Sequence, residues 1–373
     1  MSIFNRSLPI FRNFKIISCL FLFFLTACSA GIERSVVSIP SERVSKEATP
    51  WQAEITRTPI PTPTINPNLV ISDYDPEQWR LLFDKATVWK VDVDGEGKVW
   101  IFYGINYVGF FDDGELTSFS SEDIGISSIT DMAIAPDGSV WVSGTDKIAH
   151  YISNHWNVTT IPYSDAAIKP RLAVDHNDVV WMAVTDCNCS NNVWSFDGKD
   201  WTQLISESKH NASRLLIAPD NTLWATFYST GIGKFDGNEW VIYSVSDLWQ
   251  PFEYGVEIGI NSDKQGNIYG ISNAEEKVVE IMQDGSVTRI SYEGYGFELD
   301  PTRIRIFIDS GGVIWMNAYF NDNRYNNIEY YADDHWVVIT NLPFTQMMYM
   351  LEISEGLYLI GTAQGLYEFD TTK

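Results

Sequence analysis

The chain has 373 residues, 45% of them apolar and 14% aromatic. That is enough apolar material for a large core, and it excludes a wholly disordered protein. The formal net charge is −24, which excludes nucleic acid as a partner, because a strongly acidic surface repels phosphate backbones.

Residues 1–27 have the pattern of a signal peptide. Arg6, Arg12 and Lys15 precede an apolar run from Ile16 to Ala27, too short to span a bilayer. The run ends in "LTAC", Leu25 to Cys28, which resembles the lipobox of bacterial lipoproteins. The resemblance implies cleavage before Cys28, acylation of Cys28 with chains such as palmitate, and a protein lipid-anchored to a cell membrane on its extracytoplasmic side. Several acyl chains anchor a protein far better than one. Beyond the signal the chain carries 22 basic and 49 acidic side chains.

Residues 28–70 read as a disordered Pro/Thr-rich tether. "TRTPIPTPTINPN" places Pro59, Pro61, Pro63 and Pro67 among threonines, and proline removes the backbone donors that a sheet needs. The folded domain is expected over residues 71–373.

That domain is a repeat. One aromatic position recurs as Trp100, Trp141, Trp181, Trp224, Tyr269, Trp315 and Tyr358, at steps of 41, 40, 43, 45, 46 and 43 residues. Before most of these stands an alternating apolar stretch ending in a polar turn, as in "MAIAPDGSVW" and "IFIDSGGVIW", the pattern of strand, tight turn, strand. A third strand follows in "VGFFDDG" (108–114), "VWSFDGKDW", "IGKFDGNEW" and "EYYADDHW", and a fourth in "WNVTTI", "WVIYS" and "WVVIT". Four antiparallel strands per 40–45 residues predict an all-β, seven-bladed β-propeller. A lone blade cannot bury its two apolar faces, so blades must stack around an axis. The repeated rings are expected to pack between blades. The last repeat has only three strands, and "PEQWRLLF" (76–83) matches the missing fourth, so the N-terminal strand is predicted to join the last blade.

The "DG.vW…fDG..W" pattern resembles the two-component-regulator-type propeller repeat of bacterial sensor ectodomains and, more distantly, is similar to streptogramin-lyase and gluconolactonase-like propellers. The first resemblance implies a fold and no particular ligand. The second implies that an enzyme can be built on it.

Counting ten residues back from each aromatic, with two extra turn residues in the fifth repeat, gives a column lining the channel: Lys90, Asp131, Arg171, Arg214, Glu257, Arg305 and Met348 or Met350. Two readings stand. Neighbours pair into a structural ring, Lys90–Asp131–Arg171 and Arg214–Glu257–Arg305, or the arginines bind a carboxylate or phosphate. Trp249, Tyr254, Tyr295 and Tyr319 are aromatic candidates for the same mouth, beside Asn and Asp as in sugar or peptide grooves. Cys187 and Cys189 are read as a local disulfide or two free thiols. "DVDGEG" (92–97) lacks the acidic twelfth ligand of a calcium loop, Tyr103 standing there, and reads as a strand turn. No metal or cofactor is expected.

The resulting expectation is a monomeric, lipid-anchored binding or scaffold module that recognises a small anionic ligand, a glycan or a partner protein at the loop-rich mouth. The alternative is a lyase- or lactonase-like enzyme acting there, with His210 as its catalytic base.

Overall fold

The turn between the first two strands of a repeat shows why the pattern is written as it is. In the computed structural model Asp94 accepts hydrogen bonds from the amides of Glu96 and Lys98 through one carboxylate oxygen and from Trp100 Nε1 through the other, at 2.9, 2.9 and 2.8 Å. Asp175 does the same for Asn177, Val179 and Trp181, and Asp309 for Gly311, Val313 and Trp315. One side chain thus fixes the turn and aims the ring six residues later. In the "APD" repeats the aspartate sits two residues further on and holds only the turn, as Asp137 does for the Ser139 amide. Gly138 has φ +84°, and a Cβ there would stand 2.7 Å from Gly95 N, so the turns of neighbouring blades touch where only glycine fits.

The structure describes residues 69–162, 169–185, 191–204, 212–227, 230–249, 258–272, 277–291, 305–317 and 327–373, all within the unit Pro61–Lys373. Their strands form seven antiparallel sheets, numbered here as blades 1 to 7. Blade 1 holds Val88–Val93, Val99–Tyr103, Tyr107–Asp112 and Glu115–Ser120. The innermost strands of blades 2 to 7 are Asp131–Ile134, Arg171–Val174, Ala212–Ile217, Ile258–Ser262, Arg305–Ile308 and Met347–Ser354. This is the expected seven-bladed propeller.

Six of the seven aligned aromatics are buried between blades, and Trp181 is half-buried. Trp100 packs on Tyr151 and Trp156 of blade 2, centroids 5.1 and 6.4 Å apart. Trp315 meets Tyr358 and Phe369 of blade 7. The outer strands are latched as well: Trp201 Nε1 donates to the Thr160 carbonyl of blade 2, and Trp336 Nε1 to the Ser291 carbonyl of blade 5.

Closure follows the sequence expectation. Trp79–Phe83 pairs antiparallel with Gly365–Asp370, and the Trp79 ring stacks on Phe369 at 4.2 Å. Blade 7 has no aspartate at its turn, and Tyr358 donates instead to Asp309 of blade 6 at 2.8 Å. Glu352 accepts from the amide and hydroxyl of Ser310 at 2.6 and 2.7 Å. Blade 7 is therefore tied to blade 6 at their turns and completed by the N-terminal strand at its outer edge.

One strand has no counterpart in the repeat. Leu69–Asp73 pairs parallel with the outer strand His335–Thr340 of blade 6, from Leu69 opposite Trp336 to Asp73 opposite Thr340. The strand thus begins two residues before the boundary expected at residue 71, as soon as the prolines end and every backbone donor is present. Two four-residue helices, Ser121–Ile124 and Val245–Leu248, follow outer strands and start on capping boxes at Ser120 and Ser244. Among the described residues no helix is long and apolar enough to cross a membrane.

Candidate functional site: the channel mouth

The innermost strands of all seven blades converge on one cavity of about 640 Å³. Ile105, Thr145 and Lys169, from connections between strands, also line it, so it opens at the end of the ring opposite the aspartate turns.

Strand register places the predicted column. The aligned aromatics lie opposite Asp92, Ala133, Ala173, Leu216, Asn261, Phe307 and Glu352. Two residues earlier stand Lys90, Asp131, Arg171, Arg214, Gly259, Arg305 and Met350, and all seven line the cavity. The fifth position corrects the count that gave Glu257. Asp263 precedes Tyr269 by six residues, as Asp94 precedes Trp100, so the turn has no extra residues and Gly259 takes the place. Glu257 itself lies outside the described residues. In blade 7 the column residue is Met350, with Met348 also on the cavity wall.

Of the predicted structural pairing, the Lys90–Asp131 contact is present. Lys90 Nζ lies 3.2 Å from Asp131 Oδ1, and 5.8 Å from the centroid of the Tyr349 ring. Asp131 also accepts from the amides of Met132 and Leu172, at 2.8 and 3.0 Å, tying blades 1, 2 and 3 together. Burial pushes the Lys90 ammonium down, but Asp131, Tyr349 and Asp92 together hold it above the ordinary lysine range. Burial pushes the Asp92 carboxyl up, with Lys90 opposing. Arg171 does not complete the ring with Asp131: its Nη1 donates to the Thr130 carbonyl at 3.4 Å. Arg171 is exposed, and Arg214 and Arg305 are half-buried. Five cations, Lys90, Lys169, Arg171, Arg214 and Arg305, thus share the described lining with one carboxylate, Asp131.

Trp249 is corrected. It is 3% exposed and packs with Trp224, Leu248 and Ile258 between blades 4 and 5. The short helix before it turns the ring inward, its amide donating to the Val245 carbonyl at 2.7 Å, and Gly270 makes room, a Cβ there lying 3.4 Å from the indole. Tyr254, Tyr295, Tyr319, His210, Cys28, Cys187 and Cys189 lie outside the described residues. His150 stacks on Trp141 at 4.0 Å and bonds Ser139 Oγ at 2.7 Å, away from the cavity lining. Among the described residues no group of three or more His, Cys, Asp or Glu side chains could hold a metal ion.

Sequence reasoning missed Lys169 and also Met347, which joins Met348 and Met350 on the cavity wall. Lys169 follows no strand pattern. Met347 stands in the "QMMYML" run, outside the counted column.

Solved propellers share this architecture. A catalytically inactive virginiamycin B lyase from Staphylococcus aureus, with quinupristin, gives a TM-score of 0.63 at 15% identity, over 78% of this chain and 99% of that one. The extracellular domain of a candidate hybrid two component system from B. thetaiotaomicron, BT4673, gives 0.59 at 11%, over 78% of this chain and 39% of that one. YCF48 bound to D1 peptide gives 0.55 at 14%, over 83% and 100%. At such identities the likeness is one of fold. No known family profile and no curated protein matches the chain.

Proposed function

We propose that this protein is a lipid-anchored, extracytoplasmic binding module that takes an anionic ligand at the mouth of its propeller. The observation that carries the reading is the charge of the cavity: five cations face one carboxylate in the described lining, inside a chain of net charge −24. Overall acidity would not gather cations in one place, and guanidinium groups suit planar carboxylates and tetrahedral phosphates. Sensor ectodomains and a peptide-bound protein among the neighbours fit a recognition role. Tyr254, Tyr295 and Tyr319 are the proposed aromatic contacts.

Calorimetric titration with dicarboxylates, sugar phosphates and their uncharged analogues tests the binding reading. Saturable binding by anions alone is the expected result, and equal binding of uncharged analogues would refute it. Membrane fractionation with alkyne-palmitate labelling tests the anchor. Cys28→Ala should abolish both labelling and membrane retention. The lyase- or lactonase-like alternative draws on the virginiamycin B lyase neighbour and predicts turnover that His210→Ala removes.

A further inference from the structure

Blade 6 buries a polar cluster that its own strands do not satisfy. Asn317 ends the second strand, Ile314–Asn317, opposite Arg305 of the innermost strand. Asn327 immediately precedes the third strand, Ile328–Ala332, which carries Glu329. Asn317, Asn327 and Glu329 are 3%, 5% and 0% exposed. Asn317 Nδ2 donates to the Asn327 backbone carbonyl at 3.4 Å, and Asn327 Nδ2 donates to Glu329 Oε1 at 3.2 Å.

Each amide nitrogen faces an oxygen, and this fixes both amides, because turning either over would set oxygen against oxygen. The other end of each amide is therefore a carbonyl. Asn317 Oδ1 and Asn327 Oδ1 are both buried with no hydrogen-bond partner among the described residues. A buried acceptor left in this way is costly, and two of them on contacting residues call for an occupant. Polarity at this register is not the cause. Two residues after the aligned aromatic, blades 2 and 4 carry Ser143 and Thr226, and these hydroxyls are bonded at 2.8 Å to Thr130 and Ser213 of their own blades. The other buried orphans among the described residues are indole nitrogens, of Trp79, Trp156 and Trp194. Unpartnered side-chain acceptors are thus gathered at this one place.

A water would satisfy the two oxygens with its hydrogens. Its own lone pairs would then face acceptors, since both amide nitrogens are turned toward other oxygens. Surroundings made of oxygen suit a hard cation better. We propose that Asn317 Oδ1 and Asn327 Oδ1 are two ligands of a calcium ion bound inside blade 6. This goes beyond the anion-binding reading and does not depend on it. It also departs from the sequence expectation of no metal. Calcium takes amide carbonyls as well as carboxylates, so the site needs no cluster of three acidic or histidine side chains. Neutral ligands imply weak binding, with a Kd on the order of 10⁻⁴–10⁻³ M.

The test uses the full chain, stripped of divalent ions by a chelator, with CaCl2 or MgCl2 added at matched ionic strength and read by calorimetry and melting temperature. Calcium should bind saturably and raise the melting temperature. Magnesium should do much less, because it dehydrates reluctantly. Asn317→Leu should abolish the calcium response. Asn317→Asp puts a charged oxygen at the same point and should tighten calcium about tenfold; if the leucine variant does not fold, the aspartate variant decides. Equal responses to calcium and magnesium are what charge screening of an acidic chain gives, and they overturn the site. A calcium response kept by Asn317→Leu, or not strengthened by Asn317→Asp, places the ion elsewhere and also overturns it. No saturable response at about ten times the expected Kd overturns the cation and leaves a buried water as the occupant.

Discussion

The two ends of the ring are built from the same strands but use their charged side chains in opposite ways. At the turn end, carboxylates are consumed internally: Asp309 accepts from two backbone amides, Trp315 and Tyr358. At the mouth, charges vary from blade to blade and face a shared cavity. A residue that recurs at one register in most blades serves what every blade needs. A position that reads Lys, Asp, Arg, Arg, Gly, Arg and Met serves something that only the assembled ring has.

The contrast is broken most severely at Asp309. Asp309→Ala leaves two amides, an indole and a phenol at the blade 6–7 seam without their acceptor. It should cost about 3–5 kcal/mol in denaturant unfolding, while any folded fraction keeps its affinity for anions. Asp131→Ala is next, at about 2–3 kcal/mol, since Lys90 loses its counter-ion and Leu172 its acceptor. Because this change makes the mouth more positive, calorimetry should show anion affinity undiminished. Arg171→Gln should alter stability by no more than about 0.5 kcal/mol yet reduce ligand affinity, separating the mouth's role from the scaffold's.

The smallest effect is a pH dependence. Burial holds the His150 imidazole below its ordinary range, so the unfolded chain binds the proton more readily. Stability should be full above the unfolded imidazole value of about 6.5 and fall as pH drops toward the depressed folded value. His150→Gln should flatten that part of the melting-temperature profile without altering ligand binding.

Much of the fold was legible because each period states it again. The aromatic register, the polar turn and the orphan fourth strand at "PEQWRLLF" all led to the observed ring. The Asp94–Trp100 pairing was written in the same letters but went unread, since a six-residue spacing belongs to neither strand nor helix periodicity. Gly259 was missed because strand alternation in "VEIGINSD" fits Glu257 and Gly259 equally, and only turn length separates them. Trp249 resembled a lip residue in composition, but the capping box at Ser244 turns it into the core. Leu69–Asp73 had no template, because among the described residues only one blade carries a fifth strand.

That strand has a consequence for how the molecule is handled. The segment it covers, "HWVVIT", is uncharged apart from its histidine, and Trp336 to Ile339 are all buried, unlike the largely exposed outer strand His155–Thr160 of blade 2. A chain that begins after Asp73 would bare this sticky border to its neighbours, and bare apolar strand edges template self-association. Such a shortened version should keep its circular dichroism spectrum yet elute early and concentration-dependently on size exclusion, a behaviour easily mistaken for natural oligomerisation.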